Sequence, residues 1–251
     1  MSDRFANREV CNMIIEDYKT KKPILYCDYA NTNSTELTGE SVFAYGGWGH
    51  PRRVGFNGEK GGTFTFETQI QSFQLYSLLT GGTISSAGAG SAAINLVKRE
   101  VVTAAAGGSV NATATPVAGT LNVFPVADDC GTPIAGTLSG STFTASTASQ
   151  IVASSKYVLY YQTALTSGAK KISISSTTFP KAVRITADTY QKSEDEEIIP
   201  YQMIVYKAQP QANITMQNSN TGDPVTLTVT CDLMADGDNN MIDLILQDPT
   251  T

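Results

Sequence analysis

The sequence predicts an all-β protein: an antiparallel β-sandwich or barrel with one short helix and an inserted β subdomain or pair of long hairpins. Many short runs alternate apolar and polar residues with the period of a strand, and Gly, Pro and Asp residues separate these runs. The apolar spacing of a helix stands out in one short segment only. Many strands without intervening helices pack as antiparallel sheets.

The first part of the predicted main domain, residues 1–100, contains two strands and the helix. The strands cover residues 23–30 and 62–71, and Phe64 and Phe66 alternate with threonines in the second. The helix is predicted over residues 72–80 from a capping serine, a leucine stripe and a stop signal: Ser72, Leu75, Leu78, Leu79 and Gly81.

The middle of the chain, residues 101–168, is predicted to be an inserted β subdomain of low charge. Between residues 101 and 155 the only charged side chains are Asp128 and Asp129. Short alternating runs in this stretch favour strands over a flexible linker. Strong strand patterns return in residues 169–251, which we predict to complete the main domain.

Charge is sparse and unevenly distributed. Charged residues make up 16% of the chain, against about 25% in an average soluble domain. Such a surface suits extensive protein contact, because few ionic groups must be desolvated. The net charge is −6, and from Asp188 onward eleven acidic residues face only Lys192 and Lys207. This acidic third repels nucleic-acid phosphates.

Targeting signals and membrane spans are not predicted. No apolar stretch follows the charged N-terminal residues, so we expect no signal peptide and folding in a cytoplasm. No apolar run approaches the ~20 residues that span a bilayer. The cysteines form no C-x-x-C pair, which argues against a zinc or redox site.

Enzymatic motifs are weak throughout. The single histidine, His50, lies in a Gly-His-Pro-Arg-Arg segment without a neighbouring acid, and no G-x-S-x-G elbow exists. Residues 88–93 match G-x-G-x-x-[GA] but lack the preceding buried strand and the acid about twenty residues on, so a hinge is the better interpretation.

Two acidic segments are interpreted as turns. Asp236, Asp238 and Asn240 have the first spacings of a calcium loop, but the Gly at position six and the Glu at position twelve are missing. The densest charge run, residues 193–197, reads as a solvated loop between strands. We therefore expect a protein that is not an enzyme and holds no cofactor or metal.

The order of elements resembles a known family. A strand at 24–30 is followed by a Gly-rich hairpin loop at 39–62, the Thr/Phe strand and the helix. The remaining segments are Phe179-Pro-Lys-Ala-Val-Arg-Ile, the acidic turn, Tyr201-Gln-Met-Ile-Val-Tyr-Lys-Ala-Gln-Pro and Val225-Thr-Leu-Thr-Val-Thr-Cys-Asp-Leu. This pattern is similar to the tail tube proteins of long-tailed bacteriophages, particularly contractile-tailed ones. The likeness covers roughly residues 1–85 and 170–251, and the insert departs from it.

The resemblance implies a virion protein that forms hexameric rings stacked into a tail tube. It also implies a tail sheath or other tail proteins as partners, and genomic DNA that passes through the lumen without specific binding. No membrane partner is expected. Ring closure removes exposed strand edges, which are an aggregation hazard in a monomer. An acidic wall keeps DNA from adhering to the lumen.

The resemblance also directs attention to particular residues. Trp48, His50, Arg52 and Arg53 lie among glycines and are predicted to contact the neighbouring ring. The candidates for lumen residues come from the acidic third: Asp188, Glu194, Asp195, Glu196, Glu197 and Asp223.

The cysteines divide into two expected classes. Cys27 and Cys231 lie in predicted strands and should be buried. Cys11 in a presumed N-terminal arm and Cys130 in an Asp-Asp-Cys-Gly turn should be exposed. We hypothesise that Cys11 and Cys130 of different subunits form a disulfide after the virion leaves the reducing cytoplasm.

A second class of protein remains open at this stage. An Ig-like virion decoration or adhesin could bind carbohydrate through Tyr157, Tyr160 and Tyr161. Strand alternation places Tyr157 and Tyr161 on one face and Tyr160 on the other.

Overall fold

The computed structural model describes residues 4–220 and 222–247. These residues form two compact units, each with its own core. The first contains the described residues up to Ile84 and those from Ile172 onward, and the second is Ser85–Lys171. The second unit is therefore an insertion into the first.

Antiparallel strands dominate both units, and one α-helix occurs among the described residues. In chain order the elements are β1 (Phe5–Ala6), β2 (Asn12–Asp17), β3 (Pro23–Cys27), β4 (Ala30–Tyr45), β5 (Arg52–Thr68), α1 (Phe73–Thr80), β6 (Thr83–Ser86), β7 (Ile94–Thr103), β8 (Ser109–Asn111), β9 (Asn122–Pro125), β10 (Gly136–Ser139), β11 (Thr142–Ala145), β12 (Lys156–Leu165), β13 (Lys170–Ser173), β14 (Val183–Ser193), β15 (Ile198–Pro210), β16 (Leu227–Met234) and β17 (Ile242–Leu246). The all-β class predicted from sequence is confirmed.

One large antiparallel sheet builds the first unit. Its strands follow the order β3-β2-β14-β15-β16-β5-β4. β1 pairs with β14 near the end of that strand, and β17 pairs with β15 on the same edge as β16. Cys11, just before β2, donates its N–H to the Asn33 side chain of β4 at 2.9 Å. The segment that leads into β2 thus reaches β4 at the other end of the order, so the sheet curls around its core.

Alternating side chains of this sheet form the core. Ile185 on β14 and Phe64 and Phe66 on β5 are fully buried. The residues next to each of them along the strand are only half-buried. Successive strand residues point to opposite faces, so one face of each strand enters the core. Burying each such side chain contributes about 1.5–3 kcal/mol to folding.

The helix α1 matches its prediction. The Ser72 hydroxyl accepts a hydrogen bond from Leu75 N–H at 3.1 Å, which caps the N-terminus. Gly81 ends the helix with φ 69° and donates to the Ser77 carbonyl at 2.8 Å. A side chain there would clash with the Phe179 backbone, so the position requires glycine. The predicted stripe of Leu75, Leu78 and Leu79 is buried.

The second unit contains two three-stranded sheets, β10-β11-β8 and β7-β12-β9. Its separate core includes Val110, Val123, Phe143 and Leu159. This unit begins at Ser85, whereas the sequence placed the insert at 101–168. The boundary lies earlier because all of β7 pairs with β12, so residues 94–103 belong with the insert.

Two further segments differ from the sequence-based expectation. Cys11 was expected in an N-terminal arm, but it leads directly into β2, a strand that was not predicted and that pairs with β14 inside the large sheet. Residues 39–62, assigned to a Gly-rich loop, form the outer half of a long β4–β5 hairpin with a turn at 46–51. Glycine normally weakens a strand, but Gly62 lies so close to the Glu36 carbonyl that a side chain would not fit.

Candidate assembly surfaces

The outer half of the β4–β5 hairpin is a two-stranded ribbon with one exposed apolar face. We call residues 36–62 the ribbon; its pairing places Val42 opposite Phe56 and Ala44 opposite Val54. Paired residues of antiparallel strands point to the same side, so these four side chains form one face. All four are exposed. Contiguous exposed apolar surface marks an interaction site.

The opposite face of the ribbon carries an aromatic ring and a cation. Phe43 lies over Gly55, where an added side chain would come within 3.1 Å of the ring. The Arg52 guanidinium stands 4.3 Å from the centre of the Phe43 ring, which is a cation–π distance. The ribbon is thus ordered by contacts within itself.

The tip of the ribbon, residues 46–51, is a turn held by internal hydrogen bonds. His50 donates its N–H to Gly47 O at 3.2 Å, and the Arg53 side chain donates to Gly46 O at 3.2 Å. His50, Gly47 and Gly49 all have positive φ, a conformation that glycine adopts freely. Trp48 is fully exposed at this tip.

Of the four predicted contact residues, Trp48 and His50 lie in the tip, and Arg52 and Arg53 lie directly after it at the start of β5. Trp48 points into solvent, whereas the side chains of Arg52 and Arg53 contact other residues of the ribbon. His50 takes part in the turn through its backbone. Of the four, Trp48 is the side chain most open to contact, and the apolar face of the ribbon was missed from sequence. The alternation of Val42, Ala44, Val54 and Phe56 around the turn glycines was the available signal.

An open cavity lies between the base of the ribbon and strands β14, β15 and β17. Its volume is about 430 Å³, and its lining includes Leu37, Gln191, Tyr201, Met203, Ile242 and Leu244. The lining is thus mostly apolar. We call it the base cavity.

The core becomes polar next to the base cavity. Thr189, Gln191 and Ser193 are buried on the inward face of β14, the face that carries Ile185 at the other end of the strand. Within residues 4–220 and 222–247, Thr189 Oγ1 and Gln191 Oε1 have no hydrogen-bond partner. A buried polar atom left unpaired costs about 1–3 kcal/mol, so these atoms mark a surface that a partner could complete.

The predicted lumen residues are only partly clustered. Glu194, Asp195, Glu196 and Glu197 share the turn between β14 and β15, where the Ser193 hydroxyl accepts Glu197 N–H at 3.2 Å. Glu194 and Glu196 have ion-pair partners: Arg4 at 3.6 Å and Lys192 at 4.0 Å. These pairs are exposed and each contributes little to stability.

The other two lumen candidates lie elsewhere. Asp188 is within β14 and accepts a hydrogen bond from the Gln202 side chain at 2.8 Å. The five residue steps from Asp188 to Ser193 span roughly 16 Å along the strand. Asp223 is exposed in the long loop between β15 and β16. The acidic third is therefore spread over several elements of the first unit.

The cysteines correct one expectation. Cys27 and Cys231 are buried as predicted, and Cys130 is exposed. Cys11 is also buried, because it leads into β2 within the core and not into a free arm. Burial raises the pKa of the Cys11 thiol, despite a hydrogen bond from Asn33 that opposes this effect. The Cys11–Cys130 crosslink stays a prediction, now disfavoured by the inaccessibility of one thiol.

The tyrosines considered as a sugar platform do not form one. Tyr157 and Tyr161 are buried in the core of the second unit. Their hydroxyls accept backbone N–H groups inside that unit, from Val152 at 2.8 Å and from Ala114 at 3.2 Å. The two rings share one face of β12, as the sequence predicted. That face packs into the core, so neither ring is open to a ligand.

Tyr160, on the other face of β12, is held in a polar cluster. Its hydroxyl accepts a hydrogen bond from Arg99 Nε at 3.0 Å and donates to Asp129 at 3.3 Å. Arg99 also pairs with Asp129 at 2.9 Å. The Arg99 hydrogen bond is the main reason that the pKa of Asp129 is lowered. Arg99, Tyr160 and Asp129 therefore serve as hydrogen-bond partners for one another.

Two motifs weighed from sequence have structural explanations. Asp236 accepts backbone N–H groups from Asp238 at 2.9 Å and Asn240 at 2.8 Å, so its carboxylate holds the turn before β17. The Asn240 N–H is the leading reason that the pKa of Asp236 is lowered. The glycine motif at 88–93 contains a 3₁₀ turn, Gly90–Ala92, and leads into strand β7 instead of a helix.

Comparison with known families identifies the class of this all-β protein. Residues 7–245 match the YomU/Tube protein family. Because the match covers nearly the whole chain, the protein belongs to this family and is a phage tube-like protein, a component of the virion. The resemblance to phage tube proteins stated from sequence is thereby confirmed. A search of curated proteins gave no significant match.

Helices in the described part of the chain are short. None is long and apolar enough to cross a membrane.

Proposed function

We propose that this protein is the structural, non-enzymatic subunit of a phage tail tube, in which six copies close into a ring and rings stack into a channel for DNA ejection. The observation that carries the proposal is the ribbon, an ordered two-stranded extension with an exposed apolar face and a fully exposed tryptophan. Such a surface is a liability in a free subunit and is removed by contact with copies.

Sheet edges supply the contacts proposed within a ring. Among the described strands, β3 and β4 stand at the two ends of the sheet order, and β17 pairs with β15 alone. Free strand edges pair with edges of neighbouring chains, and a closed ring leaves none unpaired. Tail sheath or other tail proteins are the further partners proposed for the outer surface.

Charge favours passage of DNA over binding. The acidic third belongs to the first unit, where the β14–β15 turn gathers Glu194, Asp195, Glu196 and Glu197. A phosphate-binding wall would retain DNA, whereas an acidic wall repels it. A density map of assembled tubes tests this assignment: a basic or neutral lumen contradicts it.

Electron microscopy of the purified protein tests the assembly itself. We expect rings or tubes from the intact chain. Deletion of residues 46–53 should leave folded subunits, with unchanged circular dichroism, that no longer polymerise. Normal tubes from the deletion variant contradict a role for the tip in stacking. Monodisperse monomers of the intact chain contradict the proposal and favour the decoration module.

A further inference from the structure

We infer that the base cavity is a receptor for Trp48 of a second copy, with the Gln191 side chain, whose Oε1 is buried in the free subunit, turning to accept the indole N–H. This inference rests on the proposed function, because it specifies how stacked copies contact each other. It starts from two features of the same unit: the Trp48 ring and its N–H donor are fully exposed, and a mostly apolar cavity lies beside Gln191, whose Oε1 has no hydrogen-bond partner among the described residues.

The chemistry of the two sites is complementary. Tryptophan has a large apolar body and a single N–H that donates and never accepts. In the base cavity, Leu37, Met203 and Leu244 offer apolar contact, and Tyr201 offers an aromatic ring. Gln191 is buried, and its Oε1 has no donor within the described residues. A phenylalanine would fill the space but would leave Gln191 Oε1 unpaired.

Strand pairing places Gln191 on the cavity side of the sheet. In the β14–β15 ladder, Gln191 pairs with Ile199, and Thr189 pairs with Tyr201. Alternate residues of β14 share a face, so Gln191 and Thr189 lie on the same side as Tyr201. Tyr201 and Gln191 both line the base cavity.

The length of the ribbon makes the contact intermolecular. Leu37 lines the base cavity, and eight residue steps along β4 separate it from Tyr45, which spans roughly 26 Å at about 3.3 Å per residue. Trp48 lies beyond Tyr45, at the far end of a paired ribbon that does not fold back on its own base. A tip on one end and a receptor on the other form a head-to-tail interface, which continues from copy to copy as an open stack when its rotation does not close a ring.

The single tryptophan of the chain makes this contact directly measurable. In unassembled protein, Trp48 emission should be solvent-like and fully accessible to acrylamide. Assembly should shift the emission to shorter wavelength and reduce quenching severalfold. Tubes whose tryptophan stays solvent-like overturn the inference and leave the proposed function intact. Failure of the intact chain to form rings or tubes overturns the proposed function.

A double-mutant cycle tests the specific hydrogen bond. Trp48→Phe and Gln191→Leu each remove one partner while keeping the shape, and each should raise the critical concentration for assembly about tenfold. If the two groups bind each other, the critical concentration of the double variant should also rise only about tenfold, because the second change removes no further interaction. A hundredfold rise in the critical concentration of the double variant overturns the pairing of Trp48 with Gln191.

The control pair is Trp48→Phe with Gln211→Leu, because Gln211 lies outside the base cavity and bonds to Asp232. These two changes should be additive. Gln191→Leu should also keep or raise the melting temperature of the unassembled protein, since it removes an unpaired buried group. A lower melting temperature assigns Gln191 a role in the fold alone and overturns the inference.

A crosslink gives a second readout that does not depend on assembly strength. Trp48→Cys combined with Leu244→Cys should form disulfides between copies upon oxidation of tubes, in a background in which Cys130→Ser and Cys11→Ala remove the exposed thiol and the native thiol of the cavity lining. Moving the first cysteine to position 40, as Glu40→Cys, is the control and should not crosslink. Tubes without the 48–244 crosslink overturn the inference.

Discussion

The two halves of the β4–β5 hairpin are one continuous pair of strands with opposite surroundings. In the inner half, Phe64 and Phe66 are buried and β5 also pairs with β16. In the ribbon, Val54 and Phe56 are exposed, and among the described strands β5 pairs there with β4 alone. The same strand therefore serves the fold at one end and presents contact surface at the other. Folding and assembly should accordingly be separable by mutation.

The largest expected difference is in stability. Phe66→Ala should lower the free energy of unfolding by about 3–5 kcal/mol, because it opens a cavity in the core. Phe56→Ala, the same change in the ribbon, should cost less than about 0.5 kcal/mol. Denaturant unfolding followed by circular dichroism measures both. Equal losses would show that the ribbon is part of the folded core and remove the distinction.

A thiol beside the inner half of the hairpin should react with a labelling reagent at least about a hundredfold more slowly than a thiol in the ribbon. Cys231 pairs with Phe64 across β16 and β5, and burial, aided by the charge of Asp232, raises the pKa of Cys231 to about 12. The thiolate is the reactive form, so Cys231 should react slowly at pH 8. Ala44→Cys in the ribbon, in a Cys130→Ser background, should react fast. Mass spectrometry of labelled peptides measures the two rates, and comparable rates would contradict the packing of the inner half.

Assembly should respond to the ribbon alone. Val54→Ser combined with Phe56→Ser should raise the critical concentration at least tenfold and leave the melting temperature unchanged, because both side chains are exposed in the subunit. Val97→Ser with Val101→Ser removes two exposed valines from β7 of the second unit and serves as the control. Sedimentation of polymer measures both variants. An equal loss in the control would deny the ribbon a special role.

The smallest effect concerns a polar group that already has its partners. Desolvation raises the pKa of Glu100, but hydrogen bonds from the Thr113 hydroxyl and N–H outweigh it, so the pKa is lowered overall. This stabilisation is present above the unfolded value of about 4.3 and is lost as pH falls through the lower folded value. Because Glu100 is only half-buried, solvent screens these bonds and the stabilisation amounts to less than about 1 kcal/mol.

Glu100→Gln should therefore lower stability slightly at pH 7 and make it less sensitive to acid between about pH 5 and 3. Thermal unfolding at the two ends of this range measures the change. An equal loss on acidification in variant and parent would contradict the assignment. The Glu100 carboxylate has hydrogen-bond donors within the subunit, whereas Gln191 Oε1 has no donor in the described chain.

Local pattern predicted much of the fold. Strand alternation located the segments containing Phe64, Ile185 and Val229, since a period of two is imposed by backbone geometry. The capping serine and the stop glycine fixed α1, because those groups act within one turn. The uncharged composition of the middle region marked the insert, although the boundary depended on a strand pair far apart in sequence.

Tertiary structure decided what depends on distant partners. Cys11 is buried because β2 pairs with β14, about 170 residues away, and no local signal reports that pairing. Residues 39–62 read as a loop because of their glycines, yet pairing over the full length of β4 and β5 makes them a ribbon. The acceptor at Gln191 is set between strands β14, β15 and β17, so its lack of a donor is visible only once these strands are packed together.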